Sequence, residues 1–151
     1  MNETSKSYDV RCKKRHFDLY LKGHGIDIGG GNNVLKVQNG KVDRWDTEDG
    51  DAQLLSTVDS NKYDFVYSSH CLEHLRSVEE GLINWLRILK AGGYLFFTVP
   101  EYVLYEKMTF PSRFNTDHKN TFSAFITRKK TGRENHFFYN DIITLLKKHN
   151  A

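Results

Sequence analysis

The sequence predicts an α/β protein built on a doubly wound, mostly parallel sheet. Three observations carry that prediction. Short apolar strands alternate with helical segments, the first strand runs into three consecutive glycines, and the polar residues suited to ligand binding follow strand ends. Alternation of this kind implies parallel strands joined by right-handed crossovers. In such a sheet ligands bind beyond the carboxyl ends of the strands, where the strand order reverses.

The chain opens with a polar lead-in, residues 1–22, that contains the basic run Arg11-Cys-Lys-Lys-Arg-His16. His16 to Leu21 is expected to be a short helix that packs Phe17 and Leu21 against the sheet. Gly25 to Ile28 reads as the first strand; Val34 to Val37 is too short for a helix, and Asn39-Gly40 signals a turn. Val42 to Trp45 is a second strand ending at Asp46. Tyr63 to Tyr67, rich in aromatic and β-branched residues, is a third, followed by Ser68, Ser69 and His70. Ser77 is placed as a helix N-cap, with Glu79 and Glu80 at the positive end of the helix dipole. Val78, Leu82, Leu86 and Leu89 recur at helical spacing, and Gly92-Gly93 reads as the stop. Tyr94 to Val99 is the fourth strand, ended by Pro100. Residues 101–135 form a long loop that carries Pro111, Asp117-His118 and the basic cluster Arg128 to Arg133. Tyr139 to His149 closes the chain as an amphipathic helix.

With 151 residues, 38% hydrophobic and 13% aromatic, the chain is read as one domain, 1–151, with a real core. A formal charge of +3 permits an anionic partner without requiring one. Two cysteines, Cys12 and Cys71, make no disulfide framework and point to a reducing, cytoplasmic setting. No apolar run reaches membrane-spanning length, so no membrane span is expected.

The stretch Gly25-Ile-Asp-Ile-Gly-Gly-Gly-Asn-Asn33 bears most directly on function. Glycines let a ligand lie against backbone, and loops of this kind usually cradle phosphates. Here, however, Asp27 stands two residues before the first glycine, and the third glycine position of G-x-G-x-x-G is Val34. A carboxylate at that place repels a pyrophosphate and suits an ammonium or sulfonium charge. Both facts disfavour a dinucleotide and favour S-adenosylmethionine.

The order Gly25-Ile-Asp-Ile-Gly-Gly-Gly, Val42-Asp-Arg-Trp-Asp46, Gly50-Asp-Ala-Gln53, Tyr63-Asp-Phe-Val-Tyr-Ser-Ser-His-Cys-Leu-Glu-His74 and Leu89-Lys-Ala-Gly-Gly-Tyr-Leu resembles the class I S-adenosylmethionine-dependent methyltransferases. Within that superfamily it looks like a bacterial and phage type, some of whose members are linked to surface-polysaccharide pathways. Ser112 to Ser123 is similar to the loop that follows strand five there. The resemblance implies a Rossmann-like fold and roles for particular residues. Asp27 and the backbone of Gly29, Gly30 and Gly31 would hold the methionine end of the cofactor. Asp46, nineteen positions after Asp27, would accept from the ribose hydroxyls. Asp51 and Ala52 would meet the adenine, and Ser69 and His70 would border the transferable methyl. The sequence departs from the family in two ways: no helix and extra strand fit between Asp46 and Asp51, and the chain stops after the final helix, where the family normally adds strands, as either a compact natural variant or a truncated one would. The result is a reduced sheet whose edges a second copy, in a homodimer, could cover.

Methyl transfer is an in-line displacement at an activated carbon, so the protein positions two reactants and, for a hydroxyl acceptor, removes a proton. His74, His118 and His70 are the candidate bases, His74 first, against the plainer reading of structural histidines at a helix start. Cys71 is read as a small buried residue and Trp85 as core. No metal is assigned, because His70-Cys71-x-x-His74 has no second ligand pair at zinc-finger spacing. A small-molecule or saccharide acceptor is expected. The rivals are a nucleic-acid-directed enzyme, motivated by the basic clusters, and a non-catalytic cofactor-binding subunit, motivated by the missing strands.

Overall fold

The computed structural model describes residues 16–149. Its centre is a four-stranded sheet of β1 (Gly23–Ile28), β2 (Gly40–Trp45), β3 (Tyr63–Ser69) and β4 (Leu89–Thr98) in the order β2-β1-β3-β4. Every pairing is parallel. The chain steps outward from β1 to β2 and then crosses back to β3 and β4, so the order reverses between β1 and β3. At that switch Ile28 lies opposite both Trp45 and Ser68, which brings three strand ends side by side.

Both faces of the sheet are covered, as an all-parallel sheet requires. On one face α1 (His16–Tyr20) leads into Leu21, and Phe17 and Leu21 pack with Leu35, Phe65 and Tyr67. On the other face α2 (Val78–Arg87) joins Ile26, Ile28 and Val66. The Ser77 hydroxyl accepts the Glu80 N–H at 3.2 Å, the expected N-cap. Val78, Leu82 and Trp85 are buried along the inner stripe of α2, and each contributes about 1.5–3 kcal/mol by leaving water.

Gly92 and Gly93 do not stop this helix. The helix ends at Arg87, and β4 begins at Leu89 and runs through both glycines. The reason is a register shift opposite Tyr63 and Phe65: at Gly93 a Cβ would stand 2.9 Å from the Asp64 carbonyl oxygen, so only glycine lets the two backbones approach.

Alternation of strand and helix is also weaker than expected. Only the β3–β4 connection contains a helix of more than one turn; β1 to β2 and β2 to β3 are joined by turns. The Arg87 guanidinium holds the second of these connections, donating to the carbonyls of Val58 at 2.7 Å and Leu55 at 2.9 Å.

The segment read as one loop, 101–135, carries more structure than the sequence signals. β5 (Thr121–Ser123) pairs in parallel with β6 (His136–Phe138), and α3 (Arg128–Thr131) lies between them. Three-residue strands are too short to leave a periodic pattern. Then α4 (Tyr139–Lys148) buries Ile142 against the main core. Residues 99–120 are fastened by backbone: the N–H groups of Lys119 and Asn120 both donate to the Glu73 carbonyl, at 2.8 and 3.0 Å. No helix among the described residues is long and apolar enough to cross a membrane.

Candidate cofactor and catalytic site

The site is built from the carboxyl ends of β1, β2 and β3. After β1 the chain turns at Gly29 with φ of +80°, and a Cβ there would lie 2.8 Å from the Cys71 Cβ. At Gly30 a Cβ would lie 2.6 Å from Asp27 Oδ2. The glycines are therefore needed to wrap the loop around the Asp27 carboxylate. Asp27 is buried; its Oδ2 accepts the Leu35 N–H at 2.7 Å, while its Oδ1 has no partner. Burial pushes its pKa from 3.8 to about 6, against the Leu35 N–H, and the nearby Asp46 charge adds to the rise. A desolvated acid with one unsatisfied oxygen beside a second acid is a place for a cation.

Asp46 follows β2 and faces the same loop. Its Oδ2 accepts the Gly31 N–H at 2.6 Å and its Oδ1 the Thr47 N–H at 2.8 Å. These bonds fix the carboxylate and leave each oxygen a further lone pair for a ligand hydroxyl. Asp27, Gly29, Gly30, Gly31 and Asp46 thus come together as one group.

Asp51 and Ala52 lie a turn further on, since the Asp49 and Gly50 N–H groups bond back to the Asp46 carbonyl. Asp51 is exposed and already engaged: Arg76 Nη2 reaches its Oδ2 at 2.7 Å and the Gln53 N–H its Oδ1 at 2.7 Å. The Arg76 bond, followed by the Gln53 N–H, holds this carboxyl below its usual range. The Ala52 carbonyl accepts the Trp85 indole N–H at 2.8 Å. Trp45 is in the core.

Beyond β3, Ser69 is buried and its Oγ accepts from Thr98 Oγ1 at 3.1 Å. His70 takes φ of +57°, uncommon for a residue with a side chain, and its N–H bonds the Thr98 carbonyl. That corner leads into a single helical turn, Leu72–His74, and His70 Nδ1 lies 3.4 Å from Glu73 Oε1. The fastened 99–120 segment brings His118 to the same place. Its Nδ1 donates to Glu106 Oε1 at 2.5 Å, its Nε2 lies 3.9 Å from Glu73 Oε1, and its ring packs edge-on to His74 at 4.8 Å. His74 Nδ1 donates to Asp117 at 2.9 Å. All three candidate histidines therefore gather around Glu73, which is fully buried.

Cys71 lies between the two groups, beside Gly29. Burial, with Glu73 next, pushes its thiol up to about 12, so it packs as a small apolar residue and is no nucleophile. Sequence reasoning missed the partners of the histidines: Glu106, which carries no motif, and Asp117, noted only as a loop residue. The repeated pairing of acid and histidine in Glu73-His74 and Asp117-His118 was the available signal.

Open clefts of about 600 Å³ beside Lys90 to Leu95 and about 660 Å³ beside Arg76 to Glu79 are lined by none of Asp27, Asp46, His70, His74 and His118. The basic cluster at 128–133 is partly spent on packing: Arg128 lies over Phe137 and donates to the His136 carbonyl, and Arg133 lies over Phe110. Of the other basic run, residues 11–15, with Cys12, fall outside the described residues.

The family model described as a methyltransferase domain matches residues 14–97. No curated protein matches the chain. A solved structure from Thermotoga maritima, described as a SAM-dependent methyltransferase and possible histamine N-methyltransferase, aligns with a TM-score of 0.54 and 21% identity, covering 90% of this chain and 67% of its own. That likeness shows the fold.

Proposed function

This chain belongs to the methyltransferase domain family, a group of S-adenosylmethionine-dependent enzymes, and we propose that its methyl acceptor is a small molecule or a glycan-type compound. The reading of the acceptor side is supported by one observation above all: three histidines, each within reach of a carboxylate, gather around the turn that follows β3, whose Cys71 packs beside Gly29. The cofactor supplies an activated methyl group on a sulfonium centre. The residues present fit such a group, because the unpartnered Asp27 oxygen is a receptor for positive charge and Asp46 retains acceptor sites for hydroxyls. Gly29 to Gly31 offer backbone at close approach, and Ser69 and His70 border the acceptor side. Asp51 can contact an adenine only through a lone pair that Arg76 and Gln53 leave free.

In the reaction the chain positions the acceptor and takes its proton. Asp117 and Glu106 each fix the tautomer of a histidine by accepting from Nδ1, which leaves the other ring nitrogen free to accept. His74 is the foremost candidate base, since its ring is partly exposed whereas His118 is buried. A nucleic-acid acceptor is less well supported, because Arg128 and Arg133 are turned onto aromatic rings.

Calorimetry with S-adenosylmethionine, S-adenosylhomocysteine and NAD in parallel tests the cofactor assignment. The first two are expected to bind. Release of S-adenosylhomocysteine is then followed with sugars and small amines or alcohols in one series and RNA and DNA in another. Turnover confined to the nucleic-acid series would overturn the proposed acceptor class.

A further inference from the structure

We propose that Glu73, His74 and His118 form a binding site for one divalent transition-metal ion. One donor atom from each of these residues lies within 4.8 Å of the other two. Ligands around such an ion sit about 2.0–2.2 Å from it, which sets tetrahedral neighbours roughly 3.5 Å apart, so the widest pair has to close by about 1 Å, a movement within reach of side-chain rotation.

Proximity alone would not carry the assignment; two further features do. Glu73 is fully buried, and neither of its carboxylate oxygens has a hydrogen-bond partner. Its ion-pair neighbours, His70 Nδ1 at 3.4 Å and His118 Nε2 at 3.9 Å, make no hydrogen bond to it. A buried carboxylate left in that state is strongly unfavourable unless positive charge is supplied. Second, both histidines carry the support that metal-bound imidazoles show: Nδ1 of His118 is tied to Glu106 and Nδ1 of His74 to Asp117. A carboxylate accepting from one ring nitrogen leaves the other unprotonated and more basic, ready to donate its lone pair. Glu106 contributes a second buried carboxylate, one of whose oxygens is also unpartnered. Glu73 and Glu106 thus place two buried carboxylates against imidazoles, while Asp117 is paired with Lys119 at the surface.

The backbone frame of the site is in place before an ion arrives. His118 is delivered by the backbone bonds from Lys119 and Asn120 to the Glu73 carbonyl, so the two segments are locked together at the candidate ligands themselves. Two imidazoles and one carboxylate suit Zn²⁺, Co²⁺, Fe²⁺ or Mn²⁺ better than Mg²⁺ or Ca²⁺, which prefer all-oxygen sets. Three protein ligands leave a position open for an oxygen from water or from an acceptor; with an ion bound, the His74 nitrogen serves as a ligand and not as the proton acceptor, so its role as a base applies to the metal-free site. The sequence pattern could not show this site, because His118 lies 44 residues after His74 and outside any metal-ligand spacing.

The test uses the full chain without an affinity tag, stripped with chelator and titrated with Co²⁺ and, separately, Zn²⁺. Neither cofactor nor acceptor is present, so the outcome is independent of methyl transfer. One equivalent of Co²⁺ with ligand-field absorption is expected, displaced by Zn²⁺. Glu73→Gln should abolish stoichiometric uptake, and Glu106→Gln, which removes no ligand, should weaken it by roughly 10–100-fold. A Zn²⁺-dependent rise in the unfolding temperature of the unsubstituted protein, reversed by chelator, reads the site even if a variant fails to fold. Absence of both the absorption and the thermal shift overturns the proposal; so does binding that persists unchanged in Glu73→Gln.

Discussion

Replacing Asp27 by Asn should make stability less sensitive to pH, and the size of the effect follows from the geometry of the glycine loop. Asp27 titrates from 3.8 toward about 6 because it is buried. A carboxyl whose folded pKa is raised stabilises the fold fully only below its unfolded pKa, and that contribution is lost as pH rises through the folded value. The interval from 3.8 to about 6 corresponds to about 3 kcal/mol when the group is ionised in both states. Between about pH 4.5 and about pH 7.5 roughly 2 kcal/mol of this is lost, the remainder falling below that window. The asparagine carbonyl keeps the Leu35 bond, and its amide replaces an oxygen that already lacks a partner. That mismatch is a constant offset of about 1–3 kcal/mol, so it cancels in the pH dependence. Urea unfolding of the cofactor-free protein and of Asp27→Asn across this window should therefore give a stability difference that shifts by about 2 kcal/mol toward the variant as pH rises. Parallel curves would refute the assignment of a desolvated acid at this position. The same group makes a second readout: if the ionised form receives the cofactor's positive charge, S-adenosylmethionine should bind about 10-fold more weakly near pH 5 than near pH 7 in the wild type.

Three other outcomes are expected. Asp46→Asn should weaken S-adenosylmethionine binding by roughly 1–3 kcal/mol in calorimetry, through lost charge-assisted bonds; unchanged affinity would remove Asp46 from the site. His74→Ala should lower turnover while leaving cofactor affinity nearly intact, and full turnover would place the proton acceptor elsewhere. Arg87→Met should destabilise the fold by about 1.5–3 kcal/mol in urea unfolding, because the carbonyls of Val58 and Leu55 lose a charged donor; no change would show that the β2–β3 connection holds itself.

The β1 loop, the capped helix α2 and the three main parallel strands were legible in the sequence because each rests on local rules. Apolar runs ending in glycine, a Ser77 cap and helical spacing of Val78 and Leu82 depend on neighbours a few residues away. The pairing of Asp27 with Asp46 was legible for a related reason: each stands at the end of a strand, and parallel strands bring their ends together. The extent of β4 was not, because Gly92-Gly93 serves equally as a helix stop and as a point of close backbone approach; only the position of Asp64 across the sheet distinguishes the two. The strands β5 and β6 were invisible because three residues carry no period, and what stabilises them is a partner strand and the packing of Phe122.

The sequence by itself determined the class of fold and the acid-bearing glycine loop at the end of β1, since both follow from residue type and spacing along one strand and its turn. The tertiary structure decided that Asp51 is spent on Arg76 and that His74, His118, Glu106 and Asp117 converge on Glu73. Those contacts join segments dozens of residues apart, and their energy comes from burial and fixed hydrogen-bond geometry, neither of which exists until the chain has closed on itself.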